Sequence, residues 1–251
     1  MAVIVKSSIV LQSKAVALQR FLSTSSLLVR ATLLGASFLL FVGPAFAQSA
    51  SGSEQLRQFV RNSKTAEGEF IQQQLRAPKA NEPQDKGLKV VRQTQGRFVF
   101  QRPGRFVWDT QKPYEQKLIA DGKQLILWDK DLNQATFRSA GQALATTPAA
   151  ILFGETSLDQ HFDLVEGEER LGMKWVALVP KKNPNTKNGN DLPYTKISVG
   201  MANDLPKALE LIDGLGSVVL VTLDKIQLNI NLPANRFTFN PPAGAEVLRL
   251  N

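Results

Sequence analysis

Between Gly96 and Asp109 the chain alternates with a period of two. Phe98, Phe100 and Arg102 share one parity, and Phe106 and Trp108 share one in the next segment. That is the spacing of a strand with a buried face, because successive side chains point to opposite sides. Segments of the same kind, rich in Phe, Val, Ile and Trp and bounded by Gly, Pro, Asp or Asn, recur at 67–76, 88–102, 104–110, 114–120, 124–130, 133–138, 161–166, 173–180, 194–201, 208–213 and 218–230. They predict an antiparallel meander of ten or eleven strands. Two helical pieces interrupt it. Ser51 or Ser53 caps the first, whose Leu56, Phe59 and Val60 follow at i, i+3, i+4 and whose end falls near Asn62. The second lies in 140–153, where Pro148 starts a turn filled by Ala149, Ala150, Ile151, Leu152 and Phe153 before Gly154. Polar stretches at 79–86 and 181–193 predict surface loops. So many strands with so little helix to cover them predict a mainly β domain with a few short helices, built on one large curved sheet or incomplete, open barrel.

Leu125 and Leu127 fall on one face of their strand and Ile126 and Trp128 on the other, which predicts a strand apolar on both sides. Phe98, Phe100, Phe106, Trp108, Ile126 and Trp128 are therefore candidates for the lining of an apolar cavity. The same periodicity suits a filled core, and the pattern leaves both readings open. Arg102 shares its parity with Phe98 and Phe100, so its guanidinium projects into or at the rim of an apolar interior. It needs partners there. Backbone carbonyls at a helix C-terminus suit its five donors, and a salt bridge at an edge suits them equally well.

The first 47 residues differ from the rest. They hold Lys6, Lys14, Arg20 and Arg30 and no acidic residue, followed by the uncharged run ATLLGASFLLFVG and then Pro44-Ala45-Phe46-Ala47, with small residues at −3 and −1 before Gln48. This predicts a cleaved secretory signal peptide at 1–47 and a single domain at 48–251. The apolar run is too short to span a bilayer as a helix. Four of the 30 basic residues lie in that leader, so the formal charge of +8 shrinks to a mild excess of 26 basic over 22 acidic residues in the domain. An exported, mildly basic domain is not expected to bind nucleic acid. With no cysteine among 251 residues, disulfides, thiol nucleophiles and a lipidated cysteine anchor are excluded. The lone His161, in DQHFDL at a strand start, is expected to be structural. Glu166, Glu168 and Glu169, around Gly167 and before Arg170, predict the solvated turn of a hairpin and no metal site. No phosphate loop, GxSxG elbow or HExxH occurs. No enzyme, no metal and no cofactor is expected.

The run RFVFQRPGRFVWDTQKPYEQKLIADGKQLILWDKDLNQA (97–135), the helical TTPAAILFG (146–154) and the ending FTFNPPAGAEV (237–247) resemble the LolA family of lipoprotein carriers. The central run is the specific part: Arg-Pro, aromatic-x-Trp, P-x-x-Q and D-G-K-x-L in order. The resemblance implies a periplasmic chaperone with an incomplete β-barrel and an α-helical lid over a hydrophobic cavity. It implies lipoprotein acyl chains as cargo, the inner-membrane transporter LolCDE as donor, the outer-membrane receptor LolB as acceptor, and action as a monomer. Carried onto this sequence, the arginine that latches the lid is Arg102, Phe106 and Trp108 are rim and cavity aromatics, and the lid includes Pro148, Ile151, Leu152 and Phe153. Other exported binders of the same fold are the alternatives: a LolB-like acceptor, for which the lipidated cysteine is missing, and an envelope-stress sensor, for which the domain is too short. An exported hydrolase fits least. Two departures from the family pattern are expected, an insertion at 79–89 and a longer connection at 181–193, and the C-terminal end beyond Pro242 is short, with room for the trimming of any family element after the last motif.

Overall fold

Strand β2 (Lys89–Gln101) shows why this sequence makes a sheet with two unlike faces. Phe98 and Phe100 point to one side and Val99 to the other, and all three are at most 2% exposed. The computed structural model describes residues 50–78, 87–139, 152, 158–181 and 193–250, all within the unit Gln48–Asn251. β1 (Thr65–Arg76) pairs with β2, and β3 (Arg105–Lys112), β4 (Gln116–Asp121), β5 (Gln124–Asp129) and β6 (Gln134–Ser139) continue an antiparallel meander. β7 (Phe162–Arg170), β8 (Met173–Pro180), β9 (Tyr194–Ala202), β10 (Leu205–Asp213) and β11 (Val218–Leu228) form a second meander, whose last strand pairs antiparallel with β1. The spatial order β12-β6-β5-β4-β3-β2-β1-β11-β10-β9-β8-β7 makes one twelve-stranded sheet that does not close.

After Pro242 the chain adds β12 (Glu246–Leu250), parallel to β6 at the sheet edge, a strand that the alternation does not predict. One expectation is corrected here. Glu166, Glu168 and Glu169 do not form a turn. They lie in β7, which bulges between Glu166 and Glu169, and the hairpin turns instead at Leu171 and Gly172, both at positive φ. The expected loop at 79–86, and all of the 181–193 stretch except its two end residues, lie outside the described residues.

Residues paired across antiparallel strands share a face, so the register sorts the inner surface into rows. One row runs Ala66, Phe100, Phe106, Ala120, Leu125, and the next runs Gly68, Phe98, Trp108, Leu118, Leu127. Glycine is required at 68, because a Cβ there would lie 2.6 Å from the Phe98 ring and 2.9 Å from the Asp224 carbonyl oxygen. Helix α1 (Gly52–Asn62) covers β7–β10 on this side and buries Leu56, Phe59 and Val60 in the same cluster as Phe98, Phe100 and Phe106. Its i, i+3, i+4 stripe is what makes that possible. The opposite face carries a smaller cluster of Ile119, Ile126, Trp128, Ala135 and Phe137. Phe239 and Ala245, from the stretch between β11 and β12, close over it, and Arg249 of β12 lies 4.6 Å from the Phe137 ring centre.

The N-terminal end of α1 is fixed by polar contacts. The Ser51 hydroxyl caps it by accepting from the Glu54 N–H, and the Glu166 carboxylate accepts from the N–H groups of Gly52 (3.1 Å) and Ser53 (2.9 Å). An anion there meets the positive end of the helix dipole. Lys174 Nζ donates to the Ala50 carbonyl at 2.6 Å, Asp204 N–H donates to Gln55 Oε1, and Arg57 pairs with Asp159 at 3.1 Å. Burial opposes ionisation of Glu166, but the hydrogen bonds from Ser53, Ser51 and Gly52 outweigh it and hold the carboxyl below its ordinary value. A carboxyl lowered by folding stabilises the fold above its unfolded pKa and ceases to do so as pH falls through the folded one. Glu166→Gln is therefore expected to cost about 0.5–1 kcal/mol at pH 7, as loss of a partly exposed helix cap does. The gap to the wild type in denaturant titrations narrows as the pH drops below about 4 and closes once the wild-type carboxyl is protonated; a gap independent of pH would show that the ionised carboxylate is not what anchors α1.

Candidate functional site

The site is built around a charge set among the aromatic rings of the inner face. Arg102 follows β2 directly, two residues beyond Phe100, and its guanidinium lies 4.9 Å from the Phe100 ring centre and 5.7 Å from that of Phe59. Its Nε donates to the Ser63 carbonyl at 3.2 Å and its Nη2 to the Leu152 carbonyl at 2.8 Å. Ser63 is the C-cap of α1, and its own N–H and hydroxyl both donate back to the Phe59 carbonyl. One guanidinium thus meets the negative end of the helix and a second segment at once. Of the two partner sets open to this arginine from sequence, these bonds are to carbonyls. Charge-assisted bonds of this kind contribute about 1.5–3 kcal/mol each.

Leu152 is 2% exposed and packs in the inner cluster with Leu56, Phe59 and Phe100. Of the expected lid residues it alone is described; Pro148, Ile151 and Phe153 lie outside the described residues. Beneath α1 and Leu152, Phe98, Phe100 and Phe106 are 0–2% exposed, so in this state they form a packed layer. Trp108 stands at the edge of that layer. It stacks on Phe70 with ring centres 3.8 Å apart and also lines a cavity of about 600 Å³ together with Leu118, Leu127 and Val219. That volume is in the range of small-molecule sites. Tyr194 packs on the same cluster, and burial pushes its phenol pKa up, so it stays neutral.

The expectation that Ile126 and Trp128 belong to the cavity is corrected. The register pairs Ile126 with Ile119 and Trp128 with Lys117, on the opposite side from Trp108, and both residues are buried in the outer cluster, where Trp128 lies 5.5 Å from the Phe239 ring centre. Their places on the inner face are taken by Leu125, buried in the inner cluster, and Leu127, at the cavity. Parity separated the two pairs from the start; which pair faced inward depended on the register with β4. Phe70 is an inner-face aromatic that sequence reading passed over. Its signal was its parity in β1, shared with Gly68 and Ala66. His161 is exposed at the start of β7, where its N–H donates to the Leu158 carbonyl and its own carbonyl accepts from Lys181 N–H.

Residues 61–240 match the family described as outer membrane lipoprotein carrier protein LolA. An outer-membrane lipoprotein carrier protein of Cupriavidus pinatubonensis is 42% identical over 200 residues, 80% of this chain and 88% of its own. Its counterparts in Ralstonia nicotianae and Bordetella avium are 40% and 36% identical, each over 217 residues that make up 86% of this chain and 96% of theirs. With a model match over most of its length and relatives this similar, the chain belongs to the LolA family of outer membrane lipoprotein carrier proteins.

Proposed function

We propose that the protein carries lipoproteins through the periplasm, shielding their acyl chains against the inner face of the sheet and delivering them to an outer-membrane acceptor. The observation that carries this is the arginine that ties α1 and Leu152 to the aromatic part of the sheet face, beside an open cavity. In this reading Leu118 and Leu127 meet the acyl chains first. Phe98, Phe100, Phe106 and Trp108 meet them as α1 and the Leu152 segment draw away. Moving a chain out of water gains about 0.8 kcal/mol per CH₂, so one long chain offsets the exposure of several large side chains at about 1.5–3 kcal/mol each. Breaking the Arg102 bonds is the added cost of the loaded state, and it favours release.

Residues 1–47 serve as the export signal, so the working protein starts at Gln48. LolCDE is the donor and LolB the acceptor that family membership suggests, with the carrier acting as a monomer and without enzymatic chemistry. The direct test is to purify the protein from the periplasm, read its N-terminus, and identify co-eluting acyl chains by mass spectrometry. A preparation that is empty and also extracts no lipoprotein from spheroplasts would overturn the carrier reading.

Two variants examine the parts. Leu127 is 39% exposed at the cavity, so Leu127→Glu leaves the core intact and places a carboxylate where acyl chains pass. The melting temperature is expected to stay within a few degrees of wild type, while lipoprotein uptake falls tenfold or more because the charge must be desolvated; undiminished uptake would put the path elsewhere. Arg102→Leu removes the bonds to Ser63 and Leu152 without opening a hole. Uptake is expected to match or exceed wild type while transfer to the acceptor drops severalfold, since the closed state no longer competes with the ligand. A variant that loads and unloads like wild type would rule out the latch.

A further inference from the structure

The inner face changes character along a line that crosses the sheet. On the α1 side of that line stand the rows of Phe100 with Phe106 and of Phe98 with Trp108, Leu118 and Leu127. On the other side, Thr110 pairs with Gln116 and Gln116 with Asp129, Gln72 pairs with Thr94, and Gln74 pairs with Arg92. All of these polar residues line the 600 Å³ cavity whose apolar wall is Trp108, Leu118 and Leu127. The cavity is therefore apolar on one side and polar on the other, where amides and hydroxyls stand with the charged Arg92, Asp129 and Asp131, divided by strand register.

The polar half is poorly satisfied from within. Gln116 Nε2 donates to Asp129 Oδ2 at 2.8 Å, but among the described residues the side chains of Gln72, Gln74, Arg92, Thr94 and Thr110 make no hydrogen bond. Glutamine and threonine each donate and accept, so the row suits a ligand that offers both kinds of group, and Arg92 adds donors for carbonyl oxygens. A bare hydrocarbon chain laid across these residues would strip water from them and replace none of its hydrogen bonds, which is costly. A free fatty acid lays its chain on the apolar wall and offers a carboxylate to Arg92, but it leaves the row of Gln72, Thr94 and Thr110 unpaired. The ligand that also matches that row is one whose hydrocarbon runs into esters and peptide groups.

We infer that this cavity is a subsite for the junction of an acylated polypeptide, with the chains on Trp108, Leu118 and Leu127 and the ester and first peptide groups on Gln72, Thr94, Thr110 and Gln74. The inference rests on the carrier reading and adds to it a means of telling an acylated polypeptide from a loose lipid of equal chain length.

The test compares a dipalmitoylated glyceryl peptide with palmitate, each displacing an apolar fluorescent probe from the wild type and from the Gln72→Leu/Thr94→Val double variant. Both positions are only partly buried, so the fold tolerates the change. Affinity for the acylated peptide is expected to fall about tenfold, as loss of two hydrogen bonds implies, while affinity for palmitate stays within twofold or rises. Equal losses for both ligands, or none for either, would overturn the subsite and leave the carrier reading standing. A wild type that binds neither ligand would overturn both. Thr110→Val, a change of nearly equal volume, is the second variant, with a loss of about threefold expected for the peptide alone; no selective loss there would count against the subsite even if the double variant failed to fold.

Discussion

A guanidinium set among aromatic rings is tolerable only while carbonyl oxygens meet it, and the inner half of this protein is arranged around that condition. Arg102 sits beside Phe59 and Phe100 and directs donors at the end of α1 and at Leu152. The dependence runs both ways. The arginine needs those carbonyls to remain among the rings, and α1 and Leu152 need the arginine to remain seated on the sheet. A hydrophobic side chain at 102 would keep the packing but remove the reciprocity. The bond that joins the end of α1 to Leu152 through one side chain would then be replaced by apolar contact, which an acyl chain supplies equally well.

An open sheet of twelve strands has two faces to cover, and the chain covers them by different means. The inner face receives α1, whose apolar stripe is short, and Leu152. The outer cluster receives the stretch after β11, with Phe239 against Trp128, before the chain re-enters the sheet as β12. The outer cover is tied at both ends by strand pairing. The inner cover is the one held by side-chain hydrogen bonds, and the functional reading needs it to be the one that gives way.

Much of this could be read from the residues. Eleven of the twelve strands and α1 follow from alternation and the turn residues between runs, because period-two patterning with one buried face is a strong local signal. The inward direction of Arg102 followed from parity with Phe98 and Phe100. What could not be read was non-local. Leu125/Leu127 and Ile126/Trp128 are equally apolar pairs in one strand, and only the pairing of β5 with β4 decides which faces Trp108. β12 is a five-residue edge strand whose parallel partner lies more than a hundred residues earlier, so no local pattern announces it. The carboxylates of β7 read as a turn because Gly167 stands among them. The role of Glu166 at the start of α1 is set by a contact 113 residues away in sequence.

The two ends of α1 are secured by different partners. Glu166, Lys174, Gln55 and Arg57 all engage the first part of the helix or the residues leading into it, through bonds to β7, β8, the β9–β10 turn and Asp159. At the far end the Asn62 carbonyl accepts from Asn229 Nδ2, Lys64 N–H donates to Asn229 Oδ1, and the Ser63 carbonyl accepts from Arg102 before the backbone runs on into β1. A rod pinned at both ends is a beam. Loss of the Arg102 bonds leaves that beam across the sheet, and the tie that is lost with them is the one joining it, through a single guanidinium, to Leu152.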